Sequence, residues 1–310
     1  MLKRDNDGGI EITDVVIVGA GPAGLSAALV LGRMRRAVLV VDTDAPAHAV
    51  SDGVHGFLAQ DGTPPMHLRA IGRAQLKPYG TVETRQVAAL MARQSEGEGF
   101  EVELLGGTAV QTRKLLLAHG MRYELPDVEG LAPAWGKTVF HCPYCHGWEV
   151  RDQTVAVYGC SDRAVHQALL LASLAEDIVL LCEQTAGLSS EKAADLASAG
   201  IRVESRPVRR VAEGDNGLNI ALDGTSDLVR TALFVQPTLI LASDLAVSLG
   251  ALLTDMGTVA TDATGLSTVP GLYVAGDAAT PVQSVAIASA SGARAAYAIN
   301  AELASLLAPS

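Results

Sequence analysis

Positive charge is scarce in this chain: 23 lysines and arginines face 34 aspartates and glutamates, a formal net charge of -11. Nucleic acid and anionic membrane surfaces both require clustered Lys and Arg, and the one basic cluster, Arg206, Arg209 and Arg210, is too short to form such a face. Cysteine is scarcer still, with four residues in 310, too few for a disulfide scaffold at this length. No apolar stretch of the signal-peptide type follows Met1-Leu2-Lys3-Arg4-Asp5-Asn6-Asp7, so a cytoplasmic location is expected. An unbroken membrane-length run is also missing. Val15 to Gly32 carries no charge, but Gly19, Gly21, Pro22 and Gly24 interrupt it, and it reads as a buried strand followed by a buried helix.

A chain of 310 residues exceeds what one core usually supports, so two domains are expected. With 49% hydrophobic and 18% charged residues, the composition is that of a folded α/β protein, and only the first dozen residues read as loose. Asp14 to Gly19 is a short apolar run of strand type, Pro22 to Met34 has helical spacing, and Ala37 to Val41 is the next strand. Residues 81 to 94 read as helical, Phe100 to Leu105 and Arg113 to Leu117 as strands, and Pro126 to Trp135 as a crossing segment. A second βαβ unit begins at Thr154 to Gly159, continues as a helix from Asp162 to Ala175 and returns as Ile178 to Leu181. Gly271 to Asp277 reads as a strand and turn, and Val282 to Leu307 as one long Ala-rich helix. The fold class is therefore α/β, with two Rossmann-like, doubly wound, three-layer domains.

The first chemical signature is Gly19-Ala20-Gly21-Pro22-Ala23-Gly24 followed by Asp42. Gly19 permits the tight turn, Gly21 lets the backbone approach a pyrophosphate, and Gly24 allows close packing of helix on strand. The helix N-terminus offers its N–H groups to the phosphates, and Asp42, ending the second strand, is placed to accept ribose hydroxyls.

The second is His141-Cys142-Pro143-Tyr144-Cys145-His146. Two thiols three residues apart can close and reopen a disulfide, passing two electrons. A Cys-x-x-Cys turn entering a helix lowers a thiol pKa, and either flanking histidine can accept a proton near neutral pH. The segment also matches the haem attachment pattern C-x-x-C-H, but the missing export signal weighs against haem. Zinc needs four ligands, and no second Cys-x-x-Cys or His pair completes a set, so no metal is expected. A purely structural disulfide fits poorly with a reducing compartment. Cys160 and Cys182 sit in apolar strand-like contexts and read as small buried hydrophobes.

Thr268 to Asp277 ends in a Gly-Asp that alone would be a plain turn. Together with the N-terminal fingerprint and the central Cys-x-x-Cys, it resembles the low-molecular-weight thioredoxin reductase family over nearly the whole chain. The resemblance implies a thioredoxin reductase fold, FAD, and a homodimer. It also implies a split FAD domain, 1–115 with 245–310, and an inserted NAD(P)-binding-like domain, 116–244, that carries the thiol pair. By the same resemblance Asp277, after Gly276, binds the ribityl chain, Gln283 lies near the isoalloxazine, and the loop around His55, with Asp61 to Pro65, lies against the flavin. Cys145 becomes the inner thiol that forms a charge-transfer thiolate, and Cys142 the outer one that exchanges with substrate. His146 is the favoured base, since it takes the place where such reductases usually carry an acid. His119 and His48 depart from the pattern, standing where the family usually has Thr and often has Asn.

The second glycine turn reads Gly159-Cys160-Ser161-Asp162-Arg163-Ala164, with Ser161 where the second Gly should be. The stretch after the next strand, Cys182 to Glu191, contains no Arg to pair with a 2′-phosphate, and Glu183 would repel one. This degenerate site speaks against NAD(P)H. The wording Cys-Pro-Tyr-Cys-His-Gly-Trp-Glu resembles the dithiol oxidases that close disulfides in gliotoxin, holomycin and romidepsin. That resemblance implies a small-molecule dithiol as substrate and dioxygen as acceptor. The alternative is a reductase taking electrons from NAD(P)H or ferredoxin for thioredoxin or a similar protein.

Overall fold

Each glycine turn of the sequence ends a buried parallel strand, and the two resulting sheets organise the molecule. The computed structural model describes residues 3–4 and 11–306, apart from 96, 98, 216, 225 and 226. The first sheet is built from β1 (Lys3–Arg4), β2 (Glu11–Val18), β3 (Val38–Asp42), β4 (Val82–Gln86), β5 (Ala89–Gln94), β6 (Phe100–Leu104) and β7 (Ala109–Leu117). Helices α1 (Pro22–Arg33) and α2 (Pro65–Leu76) interrupt this run. The chain then passes through β8 (Met121–Glu124) and α3 (Leu131–Ala134) into the second sheet.

The second region comprises β9 (Val139–Phe140), α4 (Pro143–His146), β10 (Thr154–Tyr158), α5 (Asp162–Leu171), β11 (Asp177–Leu181), α6 (Ser190–Ser198) and β12 (Arg202–Glu204). A meander, β13 (Val208–Gly214), β14 (Gly217–Leu222) and β15 (Leu228–Arg230), follows before β16 (Ala232–Phe234) rejoins the sheet. β17 (Thr238–Leu241) pairs antiparallel with β8 and returns the chain to α7 (Leu245–Ser248), β18 (Leu272–Val274) and α8 (Val285–Ser305). β18 completes the first sheet by pairing in parallel with Leu115–Leu117 of β7. That sheet therefore holds Leu116 and Leu117, two residues past the boundary expected at 115.

Both sheets share one parallel arrangement, β4-β3-β2-β7 in the first and β12-β11-β10-β16-β9 in the second. Period-two alternation sends Val15 and Ile17 towards α1 and α8, and Val16 and Val18 towards the layer containing Phe100 and Val102. In the second sheet Val155 and Val157 face α5, while Ala156 faces the meander. Each such fully buried Val, Leu or Ile is worth about 1.5–3 kcal/mol. α8 crosses α1 so closely that a Cβ on Gly292 would lie 2.0 Å from the Ala23 carbonyl oxygen.

The uncharged Val15 to Gly32 run is the expected strand and helix, and no described helix is long and apolar enough to cross a membrane. Residues 81 to 94 are not helical. β4 pairs with β3 and β5 with β6, so strand pairing overrides the helix-favouring composition of Ala89 to Gln94. α2, entered through Pro65 in its first turn, was not read from the sequence. α5 stops at Leu171, short of Ala175. Among the first dozen residues, Lys3–Arg4 pairs antiparallel with Glu11 and Ile12; positions 1–2 and 5–10, like Leu307 at the expected end of α8, lie outside the described residues.

Candidate active site

The turn from β2 into α1 lines a cleft of about 470 Å³ at the carboxyl end of the first sheet. Gly19 adopts φ 106° and abuts the end of β7: an added Cβ would lie 2.4 Å from the Ala118 carbonyl oxygen. A Cβ on Gly24 would lie 1.9 Å from the Gly19 oxygen, so only glycine lets α1 sit this close to the turn. Nothing stands within 4 Å of a Cβ built on Gly21, which faces the open cleft. Pro22, Ala23, Asp42, Gly276 and Asp277 line the same space.

Asp42 is already engaged by its own chain. Its Oδ1 accepts from the Ala20 N–H at 2.9 Å, and Oδ2 accepts from Asp44 N–H at 2.9 Å and from Arg69 Nη2 at 2.5 Å. Arg73 adds a further contact at 3.2 Å. Arg69 is 1% exposed and also donates to the Ala20 carbonyl. A carboxylate offers about four lone-pair sites, so the remaining capacity for a ribose hydroxyl lies on Oδ1. Arg69 and Arg73 lie on α2, and nothing in the sequence links them to Asp42.

Asp277 follows β18, and burial pushes its carboxyl up to about 6. Such a group suits a neutral hydroxyl-bearing ligand better than an anion. Among the described residues lining the cleft and the cavity beside it, four polar atoms are buried without a hydrogen-bond partner: His48 Nε2, His119 Nε2, His146 Nδ1 and Gln283 Nε2. Orphaned polar atoms around an open glycine turn fit a bound dinucleotide with a polar ring system, and FAD meets that description. Burial lowers the pKa of both His48 and His119, which keeps them neutral.

The adjoining cavity, about 150 Å³, brings together elements far apart in sequence: Pro22, His48, His55, Cys145, His146, Asp277 and Gln283. Gly24 alone among the expected cofactor-site residues lies behind the wall, supporting the turn. The thiol pair sits where β9 runs into the single turn of α4. Cys142 is the N-cap, Pro143 opens the helix, and Cys145 and His146 both donate their N–H groups to the Cys142 carbonyl at 3.1 Å. Cys142 and Cys145 are joined in a disulfide. Cys145 lines the cavity and Cys142 does not.

The two flanking histidines differ. His141 packs between Tyr123 and Trp135 at ring distances of 4.9 and 5.5 Å, and burial drives its pKa down to about 4. His146 stacks on Phe140 at 4.3 Å, with Nε2 3.1 Å from Ser51 Oγ and with Nδ1 buried and unpartnered. Burial lowers its pKa as well, opposed by Glu149. His55 stands edge-on to His146 with Nε2 3.6 Å from Glu149. His146 thus brings an imidazole with an unpartnered nitrogen into the cavity that Cys145 lines.

The second glycine turn is built differently. Ser161 caps α5, its hydroxyl accepting from the Ala164 N–H at 3.2 Å. Glu183 accepts from the Val208 N–H at 2.9 Å. Arg206 grips Glu204, and Arg209 pairs with Asp223, so both arginines answer acids of their own domain. Cys160 and Cys182, read above as separate buried hydrophobes, are bonded to each other. They are 22 positions apart in sequence, but β10 and β11 are adjacent parallel strands and place the residues beyond their ends 4.9 Å apart at Cα. Paired cysteines just past two neighbouring strand ends of one βαβ unit were the available signal. Among the described residues no group of three or more His, Cys, Asp or Glu is arranged to hold a metal.

Residues 13–295 match the family model described as pyridine nucleotide-disulphide oxidoreductase. Thioredoxin reductase sirT of Leptosphaeria maculans is 31% identical over 306 residues, covering 93% of this chain and 94% of the relative. Among solved structures, the oxidoreductase from Agrobacterium tumefaciens superposes with a TM-score of 0.89 at 36% identity, covering 94% of this chain and 98% of that one. HlmI superposes with a TM-score of 0.88 at 39% identity, covering 97% and 94%. With its glycine cradle, its thiol pair and these likenesses, the chain belongs to the pyridine nucleotide-disulphide oxidoreductase family, as a flavin-dependent disulfide oxidoreductase of thioredoxin reductase fold.

Proposed function

We propose that the protein oxidises a small-molecule dithiol to a disulfide, with dioxygen as the final acceptor. The observation that carries this reading is the contrast between an open FAD cradle next to Cys145 and a second glycine turn whose Ser161 hydroxyl and neighbouring Glu183 carboxylate are engaged within the protein. On this reading the stretch after β7, up to about residue 244, is an insertion that presents the thiol pair to the FAD domain. The active form is a homodimer.

Gly19, Gly21 and the α1 N-terminus would hold the pyrophosphate, Asp42 a ribose, Asp277 the ribityl chain, and Gln283 and His55 the ring end. FAD, when bound, would supply a two-electron acceptor for the thiol pair and a route for those electrons to dioxygen. The chain's own part begins at the Cys142–Cys145 disulfide. A substrate thiol loses its proton to His146 and attacks Cys142 Sγ, breaking the disulfide and releasing Cys145 as a thiolate. The second substrate thiol then attacks the substrate sulfur of the mixed disulfide. The product disulfide leaves and Cys142 departs as a thiolate. Two electrons now reside on the Cys pair and the protons on His146 and solvent. His146 can take its proton because burial keeps it neutral at physiological pH.

An anaerobic titration tests this. A dithiol should bleach the flavin absorbance and air should restore it. Rapid bleaching by NADPH, followed by reduction of a thioredoxin-like protein, would establish the reductase reading instead.

A further inference from the structure

The two βαβ units can be aligned residue by residue from their strand registers. Val18 lies opposite Val41, and Tyr158 lies opposite Leu181. Gly19 and Gly159 follow, with φ of 106° and 131°. Each donates its N–H to the carbonyl of the residue paired with its predecessor on the neighbouring strand, Gly19 to Val41 at 2.8 Å and Gly159 to Leu181 at 3.0 Å. Counting onward, Cys160 corresponds to Ala20 and Cys182 to Asp42. In the first unit these two positions are joined by the Ala20 N–H donating to Asp42 Oδ1; in the second they are joined by a sulfur–sulfur bond. The ribose-facing carboxylate of one unit is thus replaced, at the same place, by a covalent bridge across the other.

We propose that the Cys160–Cys182 disulfide is a strap that closes the dinucleotide crevice of the second unit and makes the chain refuse pyridine nucleotides. It removes the acid that would accept the ribose hydroxyls and ties the glycine turn to the strand end, where a bound dinucleotide would otherwise lie. Ser161 and the engaged Glu183 then finish a site that the strap has already closed. The four cysteines form two separate redox couples. Opening the strap takes two electrons and two protons: two small thiols, or one dithiol, become a disulfide while Cys160 and Cys182 become thiols. Cys182 has no exposed surface and Cys160 is only half-buried, so attack falls on Cys160.

This inference deepens the proposed direction of electron flow, yet it is decided by thiol status and nucleotide binding, not by turnover. The FAD-loaded protein is treated with N-ethylmaleimide without reductant and mapped by peptide mass spectrometry. Cys160 and Cys182 should remain unlabelled and be recovered as one cross-linked peptide pair; labelling of both in the native protein overturns the strap. NADH binding is then titrated by fluorescence in a Cys142→Ser/Cys145→Ser background, where the strap is the only disulfide. Cys160→Ala/Ser161→Gly/Cys182→Asp rebuilds the first unit's pattern and should bind NADH at least about tenfold more tightly than its parent, a gain of about 1.4 kcal/mol. Equal affinity in parent and variant overturns the exclusion. If that variant does not retain FAD, the same titration of Cys160→Ala/Cys182→Ala decides, with a gain over the parent supporting the strap and none overturning it. Oxygen uptake with a dithiol, measured in parallel on the wild-type protein, reports the proposed function separately.

Discussion

The two βαβ units of this chain start from the same architecture and have been put to different uses. Both have a glycine in the left-handed region after the first strand and a helix starting three residues later. In the first, the turn is stripped to glycine where a ligand must approach, and its acid is steadied by Arg69 and Arg73. In the second, the corresponding positions carry a serine that caps its own helix and a cysteine bonded to its neighbour. A Rossmann unit can therefore keep its fold while its crevice is filled from within. What remains of use in the second unit is its edge strand, β9, which delivers the thiol pair to the first.

The contrast breaks most completely at the pair itself. Cys145→Ser should eliminate flavin reduction by dithiols, lowering the stopped-flow rate by a factor on the order of 10³ or more; an unchanged rate would remove Cys145 from the electron path. Gly24→Ala comes next. The new methyl would have to share space with the Gly19 carbonyl, so the variant should purify without FAD and lose about 3 kcal/mol in denaturant melts. The second unit already has Ala164 at the matching place, and Ala164→Gly should leave FAD content intact and cost about 1 kcal/mol as a helix-propensity effect.

His146→Gln should slow dithiol oxidation by roughly 10²-fold. In the wild type, protonation of His146 removes the base, so activity falls as pH drops. Because its pKa is depressed, that acid limb lies below pH 6.5, and the variant should lose it. Asp277→Asn should separate stability from cofactor retention. The folded pKa of about 6 lies above the ordinary aspartate value of 3.8, so the buried carboxyl favours the fold at low pH, and this contribution is lost as pH rises through 6. At neutral pH the amide should stabilise the cofactor-free chain by an amount on the order of 2 kcal/mol while weakening FAD retention. A melt that moves the other way would mean that the carboxylate has a partner. Ser161→Gly should do least, costing a few tenths of a kcal/mol as a Ser-to-Gly change at a helix N-cap. It should gain no NADPH bleaching while the strap is closed.

The sequence was legible where chemistry and local structure are written in one contiguous stretch. Gly19 to Gly24 with strand before and helix after, and Cys142 to Cys145, need no knowledge of distant residues. Elements whose identity depends on a partner were less readable. Ala89 to Gln94 carries helix-favouring residues, and only the neighbouring β6 makes it a strand. Arg69 reads as an ordinary surface arginine until α2 folds over the turn and buries it against Asp42. Cys160 and Cys182 each looked like apolar filler because their relation is a strand register, not a spacing.

The cleft draws its two walls from stretches far apart in the sequence. Gly19 and Gly21 emerge from a ribosome well before Gly276, Asp277 and Gln283. The second unit, with both its cysteine pairs, is synthesised in between. The cleft therefore gains its second wall only once Gly276, Asp277 and Gln283 have joined Gly19 and Gly21, after both cysteine pairs have been made.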